Sequence, residues 1–148
     1  MRVLLQRVSR ASVTVRGELV SSIGPGLLLL VGAGRDDRDG DAERLADKVA
    51  TLRVFEDADG KMNVALGDAG GEILVVPQFT LYGSVRKGRR PSWDAAAPPE
   101  IAAERVEAFA AALEERGCTV KRGAFREHME VELVNDGPVT LWIDATDL

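Results

Sequence analysis

The chain has 148 residues, of which 45% are hydrophobic, so it has the size of one domain and can bury most of its apolar surface. Its formal net charge of -5 excludes a protein that coats nucleic acid non-specifically, because such binding neutralises many phosphates. A single cysteine and a single histidine exclude an internal disulfide and a zinc site rich in these ligands. The longest apolar run, residues 27–31, is far too short to cross a bilayer. We therefore expect one cytoplasmic domain over residues 1–148, with no membrane association.

The first third of the chain is typical of antiparallel strands. Its valine-rich segments are separated by a turn at residues 16–18 and by the break Gly24-Pro25-Gly26. The predicted strands are residues 3–8, 12–15, 19–23 and 27–32.

The rest of the chain adds two helices and four more strands. Apolar residues at helical spacing predict a helix over residues 41–54 and a second helix that begins at Pro98-Pro99 and ends before Gly117. The further predicted strands are residues 73–81, 118–122, 129–135 and 139–144. This order predicts an α+β fold, a single compact domain with a largely antiparallel sheet and two main helices.

The acidic residues 36–41 and the two glycines before them each have a structural and a functional interpretation. Asp36, Asp37, Asp39 and Asp41 are candidate magnesium ligands, but we favour a solvated loop whose acidic residues cap the following helix. Gly32 and Gly34 resemble part of a dinucleotide-binding fingerprint, which we reject because Asp37 replaces its third glycine. We expect no metal and no cofactor.

The sequence offers no conventional nucleophile and base. His128 lies at the edge of a predicted strand with no serine placed beside it, and we favour a structural or surface role. Cys118 begins a strand, where a small buried thiol is the ordinary interpretation.

One basic segment stands out against the acidic net charge. Arg86, Lys87, Arg89 and Arg90 fall within five residues and precede Trp93. Such a segment can bind a phosphate backbone with an aromatic ring nearby. The alternative is a solvated loop whose arginines pair with acidic neighbours, and the sequence does not separate the two.

Two short motifs carry a resemblance to a known family. Pro77-Gln78-Phe79-Thr80-Leu81 ends an apolar strand, and Asn135-Asp136-Gly137-Pro138-Val139-Thr140 occupies a turn between two strands. Together, and in this order, they resemble the paired signature of the D-aminoacyl-tRNA deacylase family, also called D-tyrosyl-tRNA deacylases. The likeness runs from Gln6-Arg7-Val8 to the final strands. Pro77 departs from the family serine, so both the hydroxyl and the backbone N–H are missing at this position.

The resemblance implies a function and a set of site residues. It implies hydrolysis of the ester of D-aminoacyl-tRNA, and of glycyl-tRNA mischarged on tRNA-Ala, with no cofactor and no DNA partner. Gln78, Phe79 and Thr80 would be catalytic, Asn135, Gly137, Pro138 and Thr140 would bind substrate, and the basic segment would bind tRNA. It also implies a homodimer in which a cis Gly137-Pro138 turn enters the partner's pocket and excludes an L side chain.

Ester hydrolysis needs an attacking water, oxyanion stabilisation and proton management. Backbone N–H groups around Gln78, Phe79 and Thr80 are the candidate oxyanion donors. The ribose 2′-hydroxyl of the substrate can orient the water, and we favour it over Thr80 because a threonine nucleophile needs an adjacent base. Two other classes stay open: a non-catalytic RNA-binding module that uses the basic segment, and an esterase for small metabolites with Thr80 as nucleophile.

Overall fold

The fold is organised around its long first strand, which pairs with three neighbours, all antiparallel. The computed structural model describes residues 1–148. Its strands are β1 (Arg2–Val15), β2 (Glu18–Ile23), β3 (Gly26–Gly32), β4 (Phe55–Glu56), β5 (Met62–Val64), β6 (Glu72–Pro77), β7 (Thr119–Arg122) and β8 (Glu130–Asp144). Its helices are α1 (Asp41–Thr51), α2 (Leu66–Ala69) and α3 (Pro99–Glu115), with short 3₁₀ turns at Phe79–Tyr82 and Ala145–Asp147.

The main sheet has six strands in the order β2-β1-β3-β6-β7, with β8 along the other side of β1. The first half of β1 pairs with β3 and the second half with β2, while β8 follows almost its whole length. The pairs β3–β6 and β6–β7 are parallel. The α+β fold with a mainly antiparallel sheet is confirmed, and the parallel strands are an addition that the sequence did not predict.

The sheet curves until its two ends approach each other. The Ser21 hydroxyl donates to the Arg122 carbonyl, and the Lys121 ammonium donates to the Ser22 carbonyl, both at 2.7 Å. These bonds join β2 to β7. Strand β8 pairs only with β1, so its other long side is unpaired.

Two apolar clusters cover the two faces of the sheet. Helices α1 and α3 pack together over one face, where Leu45, Phe109 and Leu113 are fully buried with the β1 and β3 side chains. The other face encloses a smaller cluster that includes Val13, Leu28 and Leu74. None of the helices combines the length and apolar character that a membrane span requires.

Several element boundaries differ from the predictions. The first two predicted strands, residues 3–8 and 12–15, form the single strand β1, because β8 pairs with it from Arg2 to Thr14. Helix α1 ends at Thr51 instead of residue 54, because the backbone turns extended at Leu52. Strand β6 ends at Pro77, and the rest of the predicted strand folds into a 3₁₀ turn. The two last predicted strands form one strand, β8, whose pairing jumps from Asn135↔Val8 to Thr140↔Gln6, so the segment between them bulges out as the predicted turn.

Candidate active site

A cavity of about 690 Å³ opens beyond the carboxyl ends of the parallel strands β3 and β6. Its walls come from these strand ends, from residues 93–97, from the first half of α3 and from the loop before β8. Most lining side chains are apolar. This is the position at which α/β sheets commonly place a ligand, since the loops after parallel strands diverge there.

The turn after β6 forms one wall, and its backbone is held by β3. Gln78 N donates to the Val31 carbonyl at 2.8 Å, which extends the β3–β6 ladder by one bond. Gly32 allows this approach, because a Cβ at that position would lie 2.8 Å from the Gln78 carbonyl oxygen. The Gln78 amide is therefore occupied, which removes it from the three candidate oxyanion donors.

The amides of Phe79 and Thr80 differ from that of Gln78. They begin the 3₁₀ turn, where a helical segment leaves its first N–H groups without partners. Neither donates to a carbonyl elsewhere in the chain. Two adjacent backbone donors are therefore free: that of Phe79, which lines the cavity, and that of Thr80, one residue beyond the lining.

The Thr80 hydroxyl has no base beside it. It accepts a hydrogen bond from the Gln78 side-chain amide, and no titratable group contacts it. Thr80 is exposed and lies outside the residues that line the cavity. A nucleophilic threonine would lack the proton acceptor that such chemistry requires.

The turn is supported from behind by Arg2 and Tyr82. Arg2 donates to the Leu81 carbonyl at 3.0 Å and pairs with Asp144 at 2.9 Å, with its guanidinium carbon 4.2 Å from the centre of the Tyr82 ring. Burial and the neighbouring Asp37 carboxylate raise the pKa of Tyr82. Its hydroxyl stays protonated and donates to Asp37 at 3.1 Å, so its role is structural.

Two aromatic rings stand at the cavity mouth. The Phe79 and Trp93 ring centres are 5.1 Å apart in an edge-to-face arrangement, and both rings are partly exposed. Glycine at position 83 leaves room for the Trp93 indole, because a Cβ there would lie 2.6 Å from the ring. The mouth therefore offers apolar, aromatic surface to a planar group.

The second motif forms an exposed turn fixed from below by a buried arginine. The Gly137-Pro138 peptide bond is cis, as the resemblance implies. The buried Arg7 guanidinium donates to the Asp136 carbonyl at 3.0 Å and to the Val54 carbonyl at 2.6 Å. Asn135 spans the base of the turn, since its side-chain amide donates to the carbonyls of Arg7 and Val139.

This turn lies away from the cavity of its own chain. It sits opposite Gln6–Val8 in the middle of β1, whereas the cavity begins at Val31, which pairs with Val3. None of the residues 135–140 lines the cavity. Thr140 is exposed on β8 and its hydroxyl accepts a hydrogen bond from Gln6 at 3.3 Å.

Comparison with known proteins decides the family. The family model described as D-Tyr-tRNA(Tyr) deacylase matches residues 4–144. The chain belongs to the D-Tyr-tRNA(Tyr) deacylase family. It is 62% identical over 148 residues to the D-aminoacyl-tRNA deacylase of Thermomicrobium roseum, covering 100% of this chain and 96% of the relative. The D-aminoacyl-tRNA deacylase of Heliobacterium modesticaldum is 58% identical over 145 residues, covering 98% of this chain and 97% of the relative.

Two solved structures share the fold of this chain. The c-Myc DNA Unwinding Element Binding Protein superposes with a TM-score of 0.91 at 41% identity, covering 97% of this chain and 98% of the other. A probable eukaryotic D-amino acid tRNA deacylase superposes with a TM-score of 0.79 at 19% identity, covering 96% and 97% of the two chains, and shows that the fold is shared.

In this member of the D-Tyr-tRNA(Tyr) deacylase family, the basic segment forms a projecting loop. Ser84 and Ser92 pair across its base through two backbone hydrogen bonds of 2.9 Å. Arg86, Lys87, Arg89 and Arg90 are all exposed, and none makes an ion pair within the chain. The solvated-loop alternative assumed that the arginines pair with acidic neighbours, and the structure contains no such pairs.

The acidic cluster before α1 was predicted to be a solvated loop, and for two of its members this is wrong. The Asp37 side chain is buried and accepts hydrogen bonds from Gly34 N at 2.7 Å and from Tyr82. Asp41 is buried at the start of α1, where it accepts from Arg38 N at 2.9 Å and pairs with Arg44. Asp36 and Asp39 are exposed as expected.

The single histidine and cysteine have different surroundings. His128 is exposed and lies on the cavity rim, with no serine or carboxylate bonded to it. Cys118 is half-buried beside the main apolar cluster, and burial raises the pKa of its thiol, as expected for an inert packing residue.

Sequence reasoning missed three residues of this site. Arg7 lies in the motif Gln6-Arg7-Val8, where an arginine within an apolar strand signals a buried guanidinium with a specific carbonyl or carboxylate partner. Trp93 follows the basic segment in the sequence, and nothing in its neighbours indicates that it lines the cavity. Arg126 carried no signal in the sequence, because its position on the rim depends on how the loop before β8 folds.

Proposed function

We propose that residues 1–148 form one deacylase domain that hydrolyses the ester of D-aminoacyl-tRNA and releases the free D-amino acid and tRNA. The observation that carries this proposal is the pair of unpartnered amides of Phe79 and Thr80 beside an apolar cavity, in a chain of the D-Tyr-tRNA(Tyr) deacylase family. The relatives from Heliobacterium modesticaldum and Thermomicrobium roseum are both named D-aminoacyl-tRNA deacylase.

The chemistry is an attack of water on the ester carbonyl carbon. The carbonyl oxygen takes the negative charge, and the amides of Phe79 and Thr80 stabilise it as an oxyanion. The bond to the ribose 3′-oxygen then breaks, and that oxygen accepts the proton lost by the water. The neighbouring 2′-hydroxyl of the ribose orients the water, because the chain offers no base next to Thr80.

The aminoacyl end lies with the terminal adenosine in the cavity. Phe79 and Trp93 at the mouth provide the apolar surface against which a base or ribose can pack. The four cations of the loop at residues 86–90 have no acidic partners in the chain, so they are free to bind tRNA phosphates. The protein acts in the cytoplasm, where its tRNA substrates are.

Chiral selection comes from the Gly137-Pro138 turn of a second copy. The turn projects from its own chain and lies away from its own cavity, so it requires a partner's cavity to meet a substrate. Its carbonyls hold the substrate amino group, which directs an L side chain into rigid backbone and a D side chain into open space.

Strand β8 is the surface through which two copies associate. One side of this strand pairs with β1 and the other is free, which is a common site of association between chains. Val134, Leu141 and Trp142 are partly exposed along it. The homodimer therefore covers apolar side chains and brings each turn towards the neighbouring subunit.

Deacylation of three tyrosyl- and glycyl-tRNA substrates tests the function. We expect release of free D-tyrosine from D-tyrosyl-tRNA, survival of L-tyrosyl-tRNA at the same enzyme concentration, and measurable hydrolysis of glycyl-tRNA-Ala. Glycine has no side chain to clash, so a pocket that selects by exclusion has no means of refusing it. Equal hydrolysis of the D and L forms contradicts the chiral gate, and binding of tRNA without hydrolysis favours an RNA-binding module instead.

A further inference from the structure

The rim of the cavity carries an arginine that the proposed chemistry does not use. Arg126, Glu127 and His128 line the cavity from the loop between β7 and β8. Arg126 is exposed and has a φ of 61°, an uncommon conformation for a residue other than glycine. Its position is thus set by the local course of the loop at the cavity mouth.

The charge of Arg126 is not neutralised within the chain. The adjacent Glu127 is the obvious partner, but its carboxylate pairs with Arg16 at 2.9 Å. Arg126 itself makes no ion pair and no side-chain hydrogen bond. The rim therefore presents a free guanidinium directly beside the place where the substrate's terminal nucleoside would lie.

An arginine at this place fits a phosphodiester. The guanidinium presents a planar fork of N–H donors that matches the oxygens of a phosphate group. A terminal adenosine inside the cavity leaves its own 5′-phosphate at the rim, since the RNA chain must leave through the opening. The four cations of the loop at residues 86–90 are carried by a different segment, whose base lies next to Trp93.

We propose that Arg126 binds the phosphodiester that precedes the terminal adenosine of the tRNA substrate and so positions the ester in the cavity; this rests on the proposed deacylase function. Arg126 thereby adds a contact that every aminoacylated tRNA end supplies, independent of the body of the tRNA. The loop at residues 86–90 instead contacts phosphates farther along the acceptor stem.

Three substrates of decreasing length distinguish the contribution of Arg126 from that of the loop at residues 86–90. They are D-tyrosyl-tRNA, the D-tyrosyl ester of the trinucleotide CpCpA, and the D-tyrosyl ester of adenosine, which has no phosphate. We expect Arg126→Ala to raise KM about fivefold to tenfold for the first two substrates, as for the loss of one charged hydrogen bond at an accessible site. It should leave the adenosine ester unaffected, and Arg126→Lys should recover part of the loss.

Two control variants complete the design. Lys48→Ala removes an exposed, unpaired cation on α1, outside the cavity lining, and should leave all three substrates unchanged. Arg89→Ala should weaken hydrolysis of the full tRNA and spare the trinucleotide ester. An unchanged KM of Arg126→Ala for tRNA overturns the proposal, and so does an equal loss on the adenosine ester.

Failure of the deacylase function is recognised separately. If the unaltered protein hydrolyses none of the three esters, the proposed function is wrong. The phosphate contact is then tested by the binding of CpCpA without an attached amino acid, which needs no hydrolysis. If the Arg126→Ala protein binds CpCpA more weakly than the Lys48→Ala protein does, the contact is supported. Equal affinities of the two variants overturn the proposal.

Discussion

The Nε atom of Arg7 donates to the Asp136 carbonyl at 3.0 Å, so a buried guanidinium from the middle of β1 holds the residue just before the Gly137-Pro138 turn. The same side chain donates to the Val54 carbonyl at 2.6 Å. Gly137 lies close against it, because a Cβ there would be 3.1 Å from an Arg7 nitrogen. The turn is therefore fixed by its own subunit.

Replacing Arg7 should loosen this turn at a cost in stability. Arg7→Lys keeps a charge but loses the planar fork that reaches both carbonyls, and we expect a loss of about 2–4 kcal/mol in the free energy of unfolding. Urea unfolding measures it. Arg10 pairs with Glu132 at the surface and provides the exposed control. Arg10→Lys should change the free energy of unfolding by less than about 0.5 kcal/mol. Equal effects of the two substitutions would contradict the buried role.

Thr80→Ala should keep the fold and most of the deacylase activity. The hydroxyl is exposed and bonded only to the Gln78 amide, which water can satisfy in its absence. We expect kcat within about threefold, whereas losing a proton-transfer group costs about 10²- to 10⁴-fold. Thr80→Ser serves as the matched control. If Thr80→Ala folds but its activity falls to that of the uncatalysed reaction, proton transfer must be assigned to Thr80 instead of the substrate.

The role of the ribose 2′-hydroxyl is tested by removing it from the substrate. D-tyrosyl-tRNA ending in 2′-deoxyadenosine should react at least about 10²-fold more slowly, because the group that orients the water is missing. Normal hydrolysis of this substrate would refute substrate assistance.

Reversing the charges of Arg89 and Arg90 should weaken tRNA binding and flatten its salt dependence. Each phosphate contact to a single strand or a duplex contributes about 0.7 to 0.9 to the slope of log K against log salt, so losing two should reduce it by about 1.4 to 1.8. The double variant Lys48→Glu, Lys61→Glu changes the charge equally at exposed positions outside the loop. If both double variants bind alike across a salt series, the loop does not contact tRNA.

Mixing two inactive variants should restore activity if the site is shared. Gly137→Ala damages the turn but not its own cavity, since the added Cβ would lie 2.8 Å from the Val139 nitrogen. Phe79→Ala damages the cavity but not the turn. Random subunit exchange should place about half of the dimers in the mixed form, with one intact site each, so that about one site in four is restored, measured as deacylase activity after exchange. A fully active monomer by light scattering is the result that rules this out.

The stability contributed by Asp41 should depend on pH. Burial opposes its ionisation, but the hydrogen bond from Arg38 N and the contact with Arg44 outweigh this and hold the pKa below its ordinary value of 3.8. A lowered folded-state pKa stabilises the protein at pH values above the unfolded pKa, and this contribution disappears as the pH falls through the folded pKa. Asp41→Asn should therefore be less stable than the unaltered protein at pH 7, and the difference in unfolding free energy should shrink below pH 3.8. A difference that stays constant down to pH 2 would contradict this.

Local patterns in the sequence determined most elements of the fold. The alternating residues of β1, the helical spacing in α1 and α3 and the glycine and proline breaks all lie within short windows, where neighbouring residues decide the backbone conformation. The family motifs likewise identified the turn at Gly137-Pro138 and the segment at Gln78–Thr80, because each is a continuous stretch of chain.

Only the tertiary structure decided how these pieces meet. The parallel pairing of β3 with β6 occupies the Gln78 amide and leaves those of Phe79 and Thr80 free, a distinction that the motif itself does not contain. Arg7 reaches Asp136 across 129 positions of the chain. Such contacts depend on strand order and register, which are set by the packing of the whole core, and for that reason no local pattern in the sequence encodes them.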